Sequence, residues 1–164
     1  MSTIALDIGC GSNPKNFFNA DSIYGIDVRN DISKNIISAD LVLDPIPFPD
    51  DYFDFITAFD VIEHIPRLIY NPERKYPFVN LMSEIWRVLK LDGKFLSYTP
   101  ALPHSAAFTD PTHVNFITEE TFNYFDQQNN WAKMYGFKGS FIVESQKWEG
   151  PHLISILSKG LIIN

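Results

Sequence analysis

The 164-residue sequence contains a single cysteine, Cys10, and no apolar run near the roughly 20 residues that a membrane-spanning helix needs. One cysteine excludes an internal disulfide and is typical of a reducing compartment. No basic segment followed by a cleavable apolar stretch precedes the first apolar residues. We therefore expect a cytoplasmic protein with no membrane partner.

An excess of basic residues is also missing. The chain has 13 Lys and Arg residues against 20 Asp and Glu residues, which gives a net charge of −7 with neutral histidines. Nucleic-acid-binding proteins usually carry a basic stripe that displaces counterions from phosphates, whereas the basic residues here are scattered. The composition therefore argues against a nucleic-acid partner.

Repeats, low-complexity tracts and linker-like shifts in composition are absent, so the sequence predicts a single domain over residues 1–164. Short apolar segments alternate with helical or loop segments, a pattern typical of an α/β fold with a mostly parallel sheet. The predicted parallel strands span residues 3–8, 22–28, 35–39, 53–59 and 94–99.

The clearest helix is predicted over residues 76–90, where apolar residues recur at three- and four-residue spacing before the sequence Asp92-Gly93. Thr118, followed by two acidic residues, predicts a second helix N-cap. Residues 137–148 and 151–159 are predicted to be closing strands, antiparallel because the link between them is too short for a crossover. The expected architecture is a doubly wound sheet in three layers, helix–sheet–helix.

Gly9 and Gly11 form a turn at the carboxyl end of the first predicted strand, where ligands bind in open α/β sheets. Glycine lets the backbone approach a ligand closely. The carboxylate of Asp7 offers acceptors to a cationic amine, and the free N–H groups of a helix expected after the turn would face a carboxylate. The turn therefore predicts a site for a zwitterionic amino-acid group.

Asp27 ends the second predicted strand, 20 residues after Asp7, and an acidic residue there can accept hydrogen bonds from two ribose hydroxyls. Together with the glycine turn, it predicts a nucleoside-containing cofactor. The dinucleotide fingerprint G-x-G-x-x-G is incomplete because Pro14 stands in its last place, and no suitably placed Tyr-x-x-x-Lys pair follows. Both absences argue against an oxidoreductase that binds NAD or a nucleotide sugar.

Six short blocks, in order along the chain, resemble the class I S-adenosylmethionine-dependent methyltransferases, and most closely the group with ubiquinone-type and many small-molecule methyltransferases. They are DIGCG at 7–11, GIDV at 25–28, DL at 40–41, PFPDDYFD at 47–54, VIEHI at 61–65 and LKLDGK at 89–94. The resemblance implies a Rossmann-like fold with a cofactor half over about residues 1–100, and an acceptor-site loop and C-terminal elements over about residues 101–164. It also implies methyl transfer from S-adenosylmethionine to a small-molecule or glycan-like acceptor by in-line displacement.

The resemblance also implies roles for single residues. The implied cofactor-binding residues are Asp7, Gly9, Cys10, Gly11, Asp27, Val28, Asp40, Leu41, Phe59 and Asp60. Asp7 and the glycines would surround the methionine part, and Asp27 would hold the ribose. Asp40 would accept from the adenine amino group, with Asp44 as its rival. Phe59 and Asp60 would lie beside the sulfonium.

Several of these residues also have a purely structural interpretation. The small side chain of Cys10 is expected to pack within the turn, since no histidine is placed to form its thiolate. Glu63 is expected to make helix-start hydrogen bonds and His64 to pack near the cofactor. The alternative makes His64 a general base, because histidine is the residue type that titrates near neutral pH.

The loop at residues 104–113 contains His104, Asp110 and His113 together with a proline. These groups can orient and deprotonate an acceptor or bind a divalent metal ion, although Asp110-Pro111 is also a good turn sequence. Three ligands spread over ten residues is permissive spacing, so no metal site is predicted. The catalytic candidates are His113, His104 and His64, in that order.

The sequence leaves the acceptor unnamed, and a homodimer remains an alternative to a monomer. A non-catalytic S-adenosylmethionine-binding module that regulates or scaffolds a partner is the alternative to an enzyme. The intact set of Asp7, Asp27 and Asp40 favours the enzyme.

Overall fold

Seven strands form one sheet in the computed structural model, which describes residues 2–161. In chain order the strands are β1 (Ile4–Ile8), β2 (Ser22–Asp27), β3 (Ile36–Ser38), β4 (Phe53–Phe59), β5 (Ile69–Tyr70), β6 (Arg74–Lys75), β7 (Leu89–Pro100), β8 (Phe141–Glu149) and β9 (His152–Lys159). The sheet order is β3-β2-β1-β4-β7-β9-β8, and β5 and β6 form a separate small hairpin. β9 is antiparallel to both β7 and β8, while the other pairings of the sheet are parallel. The predicted fold class, a mostly parallel sheet with an antiparallel C-terminal pair, is confirmed.

The sheet order defines where a ligand would bind. The chain runs outward from β1 to β3 on one side and then returns to the other side of β1 with β4. This reversal creates a crevice at the carboxyl ends of β1 and β4, where doubly wound α/β proteins bind their ligands. The glycine turn follows β1, and Asp60 follows β4, so both lie at this crevice.

The helix predicted over residues 76–90 is α1, Pro77–Val88, with proline at its first position, where no N–H is needed. Leu81, Met82 and Ile85 belong to the main core together with Leu6 of β1. The helix ends earlier than predicted because Leu89 is already extended and pairs with Phe53 of β4. The Asp92-Gly93 sequence lies inside β7 instead, at a bulge where the register with β4 shifts.

The connection from β1 to β2, residues 9–21, contains turns and no helix, so the helix start expected after the glycine turn is wrong. The side chain of Asn16 accepts a hydrogen bond from Ala20 N (2.9 Å) and donates one to Ala20 O (2.8 Å), using backbone groups that a helix would pair. Phe18 stacks on Phe55 of β4 with ring centroids 4.6 Å apart. Because Phe55 and Ile56 point to opposite faces, this connection covers the face of β4 opposite the core packed under α1.

The remaining helical segments are short. They are α2 (Ala106–Thr109) and the 3-10 helices Ile32–Lys34, Ile62–His64, Thr121–Tyr124 and Trp131–Tyr135. The predicted N-cap at Thr118 is wrong, because its N–H donates to Thr121 Oγ1 (2.9 Å) and the helical turn begins three residues later. None of the helices within residues 2–161 is long and apolar enough to cross a membrane.

Candidate functional site

The glycine turn has a left-handed backbone at both glycines, with φ of +65° at Gly9 and +60° at Gly11. A Cβ at Gly9 would overlap with Val61 Cγ2, so this glycine lets the turn pack directly on the segment that follows β4. A Cβ at Gly11 would meet no atom within 4 Å. The surface of the turn at Gly11 is therefore open to a ligand, as a cofactor that contacts the backbone requires.

Asp27 lies beside this open surface. Its Oδ2 accepts a hydrogen bond from Gly11 N (3.1 Å), and its Oδ1 accepts from Arg29 N (3.1 Å) and Nε (3.0 Å). Burial acts to raise the pKa of Asp27, but the Arg29 guanidinium and the Gly11 N–H outweigh it and hold the pKa below the usual range. Val28 follows with 73% of its surface exposed. An ionised carboxylate and an exposed apolar residue thus adjoin the turn, which fits the ribose and base of a nucleoside.

Asp7 lies at the same edge of the sheet but is 2% exposed. Its Oδ1 accepts from Thr57 Oγ1 (2.7 Å), and its Oδ2 accepts from Lys15 N (2.8 Å). Burial raises the pKa of Asp7, and these hydrogen bonds only partly offset that effect. The carboxylate therefore ties the connection after the glycine turn to β4, and a cofactor amine would have to share its oxygens with these partners.

Cys10 is half-buried within the turn, and a Cβ at Gly25 of β2 would come within 2.5 Å of its Sγ. Glycine at position 25 thus makes room for the thiol. Burial, together with the charges of Asp7 and Asp27, raises the pKa of Cys10 to about 11. These features agree with the packing interpretation and give the thiol almost no thiolate at neutral pH.

The two rivals for the adenine position, Asp40 and Asp44, lie in one turn. Asp40 Oδ1 accepts from Val42 N (2.8 Å), while Asp44 Oδ2 accepts from Asp40 N (3.0 Å). Ala39 N donates to Asp27 O (3.1 Å), which brings this turn next to the Asp27 edge. Leu41 in the same turn is half-buried. The structure brings all of these residues to one side of the crevice without separating Asp40 from Asp44.

Asp60 directly follows β4 in a left-handed conformation, with φ of +53°. Its Oδ1 lies 3.0 Å from Nε2 of His152, and that imidazole stacks on Tyr98 with ring centroids 4.3 Å apart. The Phe59 ring also packs near Tyr98, with ring centroids 5.6 Å apart. These four residues line a cleft of about 460 Å³ together with Lys15 and Phe17.

His152 was not predicted from the sequence. It begins β9 as an isolated histidine, and no motif surrounds it. Only the pairing of β9 with β7, which places His152 opposite Pro100, brings it to Asp60.

Of the three predicted catalytic histidines, the structure brings two together. The rings of His64 and His113 lie edge to face with centroids 4.8 Å apart. His104 lies elsewhere, exposed and 5.1 Å from the Trp148 ring of β8. The loop therefore does not assemble His104, Asp110 and His113 into one cluster, and His113 instead meets His64 from the segment after β4.

Glu63, the neighbour of His64, completes this group. It is 1% exposed, and its Oε2 accepts a hydrogen bond from Thr99 Oγ1 (2.7 Å). Burial raises the pKa of Glu63, and the Thr99 hydroxyl only partly offsets the effect. Its main-chain oxygen accepts from Val114 N and Asn115 N, both at 2.9 Å, which holds the His113 segment in place. The sequence suggested only helix-start hydrogen bonds for Glu63 and did not reveal its contact with the later loop.

A family model described as a methyltransferase domain matches residues 6–97, more than half of the chain. An uncharacterized methyltransferase of Bacillus subtilis, YcgJ, is 30% identical over 109 residues, which cover 65% of this chain. The alignment spans only 38% of that relative's length.

Solved structures share the fold at low sequence identity. An S-adenosylmethionine-dependent methyltransferase from Archaeoglobus fulgidus superposes with a TM-score of 0.61 at 17% identity, covering 97% of this chain and 86% of that one. The [4+2]-cyclase SpnF superposes with a TM-score of 0.62 at 15% identity, covering 96% and 74% of the two chains.

The fold is that of the class I S-adenosylmethionine-dependent methyltransferases. The chain belongs to the family of methyltransferase domains, and this family implies S-adenosylmethionine as the cofactor. The open surface at Gly11 beside an ionised Asp27 fits such a cofactor.

Proposed function

We propose that this domain transfers the methyl group of S-adenosylmethionine to a small-molecule or glycan-like acceptor by in-line displacement. The observation that carries the proposal is the open backbone surface at Gly11, next to the carboxylate of Asp27 at the crevice between β1 and β4. The net charge of −7 supports an acceptor other than a nucleic acid.

Each side of the crevice has its own task in this proposal. The backbone at Gly9 and Gly11 contacts the amino-acid part, Asp27 accepts from the ribose hydroxyls, and Asp40 or Asp44 accepts from the adenine. When bound, the cofactor supplies an electrophilic methyl carbon. Phe59 and Asp60 border the place where that carbon would lie, and alignment with exclusion of water is the main contribution of the chain.

The acceptor would enter from the side of His64 and His113. His64 follows Asp60 shortly in the chain, since the segment after β4 packs on Gly9 through Val61 and then turns into the 3-10 helix Ile62–His64. The His113 ring contacts that of His64. We place the nucleophilic atom of the acceptor next to this pair, which leaves His104 the weakest of the three predicted catalytic residues.

Calorimetric titration with S-adenosylhomocysteine tests the cofactor assignment. Asp27→Ala removes the ribose acceptor and should weaken binding by about 1–3 kcal/mol, the usual cost of losing a charge-assisted hydrogen bond. Asp27→Asn keeps one oxygen that can accept from Gly11 N, so it should weaken binding less. The matched control is Glu73→Ala, which removes an exposed carboxylate that lies between β5 and β6. Equal affinities for the Ala variant and the wild type would contradict the ribose contact.

Turnover separates the enzyme from a binding module without activity. Incubation with S-adenosylmethionine and a mixture of hydroxyl, amine and carboxylate acceptors should release S-adenosylhomocysteine. Cofactor binding without any turnover would support the non-catalytic alternative.

A further inference from the structure

Glu63, His64 and His113 form a compact group at the acceptor side of the crevice, which we call the Glu-His-His cluster. One atom of each side chain that can bind a metal lies within 4.8 Å of the others. Within residues 2–161 no other group of three or more His, Cys, Asp or Glu side chains meets this distance.

The hydrogen bonds of the two imidazoles determine which ring nitrogen is free. Nδ1 of His113 lies 3.2 Å from Ala107 O, a carbonyl that can only accept, so this nitrogen carries the proton. Nδ1 of His64 lies 3.0 Å from Thr112 Oγ1, and the Thr112 hydroxyl donates to Asp110 Oδ1 at 2.6 Å. Thr112 must therefore accept from His64. Both rings consequently carry a free lone pair on Nε2, the arrangement that supports metal-bound histidines through their second nitrogen.

Glu63 supplies an independent observation. Although the residue is only 1% exposed, its Oε1 has no hydrogen-bond partner among the described residues. Burying a carboxylate oxygen without a partner costs free energy, since the oxygen loses its hydration and gains no hydrogen bond. A cation at the cluster would satisfy that oxygen and also offset the burial of the negative charge.

The cluster is held from outside by polar contacts that do not use these free atoms. Asn115 Nδ2 donates to Ile62 O (2.9 Å), and Arg67 Nε donates to Asn115 Oδ1 (2.7 Å). Together with the two N–H groups that bind Glu63 O, these contacts fix the loop against the 3-10 helix. The backbone segments that carry Glu63, His64 and His113 are therefore held together before any ion arrives.

We propose that Glu63, His64 and His113 bind one divalent transition-metal ion. Two imidazoles and a carboxylate favour ions such as Zn²⁺, Fe²⁺ or Mn²⁺ over Mg²⁺ and Ca²⁺, which prefer oxygen ligands. Ligand atoms about 2.1 Å from such an ion lie about 3–3.6 Å from one another, so binding requires a small contraction of the cluster.

Three protein ligands leave at least one coordination position open, as in catalytic rather than structural metal sites. On the basis of the proposed methyl transfer, the open position would receive an oxygen of the acceptor, which narrows the acceptor class to hydroxyl- or carboxylate-bearing molecules. The ion would then lower the pKa of a bound hydroxyl, so that its proton would pass to solvent water. The oxygen would form its bond to the methyl carbon as the carbon–sulfur bond breaks and S-adenosylhomocysteine leaves, and the histidines would act as ligands instead of proton acceptors.

Zinc calorimetry and the visible absorbance of added Co²⁺ test the site, using the full chain free of any affinity tag. The wild type should bind one equivalent of each ion. His113→Ala should weaken Zn²⁺ binding about 100-fold or more, and Thr112→Val, which removes the acceptor for His64 Nδ1, should weaken it about 10-fold. His104→Ala and His152→Ala are the matched controls, because these histidines lie outside the cluster, and they should leave the affinity unchanged.

Two results would overturn the proposal: a wild type that does not bind Zn²⁺ at millimolar concentration, or a His104 variant that loses as much affinity as the His113 variant. Because His113 is only half-buried, its variant should fold even where replacement of the buried Glu63 prevents folding. Titration with S-adenosylhomocysteine in the presence of EDTA separates the two proposals. If the chain binds S-adenosylhomocysteine in EDTA but does not bind Zn²⁺ in the separate zinc titration, the metal site is refuted. The proposed methyl transfer would then be unaffected.

Discussion

Alanine substitutions at Gly9 and Gly11 should separate the structural role of the turn from its role in binding. Both glycines are left-handed, and an alanine in that region costs about 1–2 kcal/mol. At Gly9 the new Cβ also overlaps with Val61, which is 8% exposed, and overpacking adds about 1–3 kcal/mol. At Gly11 the new Cβ meets nothing within 4 Å, so the backbone cost is the whole cost.

The effect on binding should run in the opposite direction. The Cβ of Gly11→Ala would point into the open surface that we assign to the cofactor, so S-adenosylhomocysteine should bind at least about tenfold more weakly, or about 1.4 kcal/mol. Gly136→Ala is the matched control, since Gly136 has φ of +92° and open space but lies after the 3-10 helix Trp131–Tyr135. It should lose a similar amount of stability and keep full affinity.

Urea unfolding followed by circular dichroism and calorimetry with S-adenosylhomocysteine measure the two quantities. The expected result is a larger loss of unfolding free energy for Gly9→Ala than for Gly11→Ala, with a loss of affinity in Gly11→Ala that Gly136→Ala does not share. Unchanged affinity in Gly11→Ala would refute the assignment of this surface to the cofactor. Equal destabilisation by the two turn variants would refute the packing of Gly9 on Val61.

Two further predictions follow from the shifted pKa values. Because the pKa of Cys10 is about 11, its alkylation by iodoacetamide at pH 8 should be about 100-fold slower in the folded chain than in urea, and similar rates would contradict the packed thiol. Burial acts to raise the pKa of Asp54, but hydrogen bonds from Lys90 and Ile4 N outweigh it and hold the pKa below its usual value. Asp54 therefore stabilises the fold above the unfolded-state pKa of about 3.9, and this contribution is lost as the pH falls through the lower folded-state pKa. Asp54→Asn should flatten the loss of unfolding free energy as the pH falls below about 4, and an unchanged slope would contradict this role.

Local patterns located the seven strands of the main sheet and α1, but not the small hairpin of β5 and β6. β4 was predicted with its observed bounds, because its apolar run is bounded by turn residues on both sides. The helix after the glycine turn was predicted wrongly, since no local pattern shows that the side chain of Asn16 takes the backbone groups of Ala20. The later end predicted for α1 has a similar origin, because pairing of Leu89 with Phe53 overrides the helical periodicity.

The candidate site likewise has a part that local sequence patterns predicted and a part that they did not predict. Gly9, Gly11 and Asp27 were recognisable because a short motif specifies backbone conformation and charge next to a strand end. The contacts on the side that we propose for the acceptor were not recognisable from the sequence, because the residues that meet there come from distant parts of the chain. His152 reaches Asp60 only through the pairing of β9 with β7, and His113 reaches Glu63 only through the fold of the loop after β7.

The sequence by itself determined the class of fold, the glycine turn and the acidic residue that faces it, because each depends on residues close together in the chain. Only the tertiary structure decided that Asp7 is tied to Thr57 and Lys15, that His104 stands apart, and that Glu63, His64 and His113 meet. The physical reason is that burial and side-chain contacts arise from the order of strands in the sheet and the path of its connections. Sequence spacing alone does not encode that order.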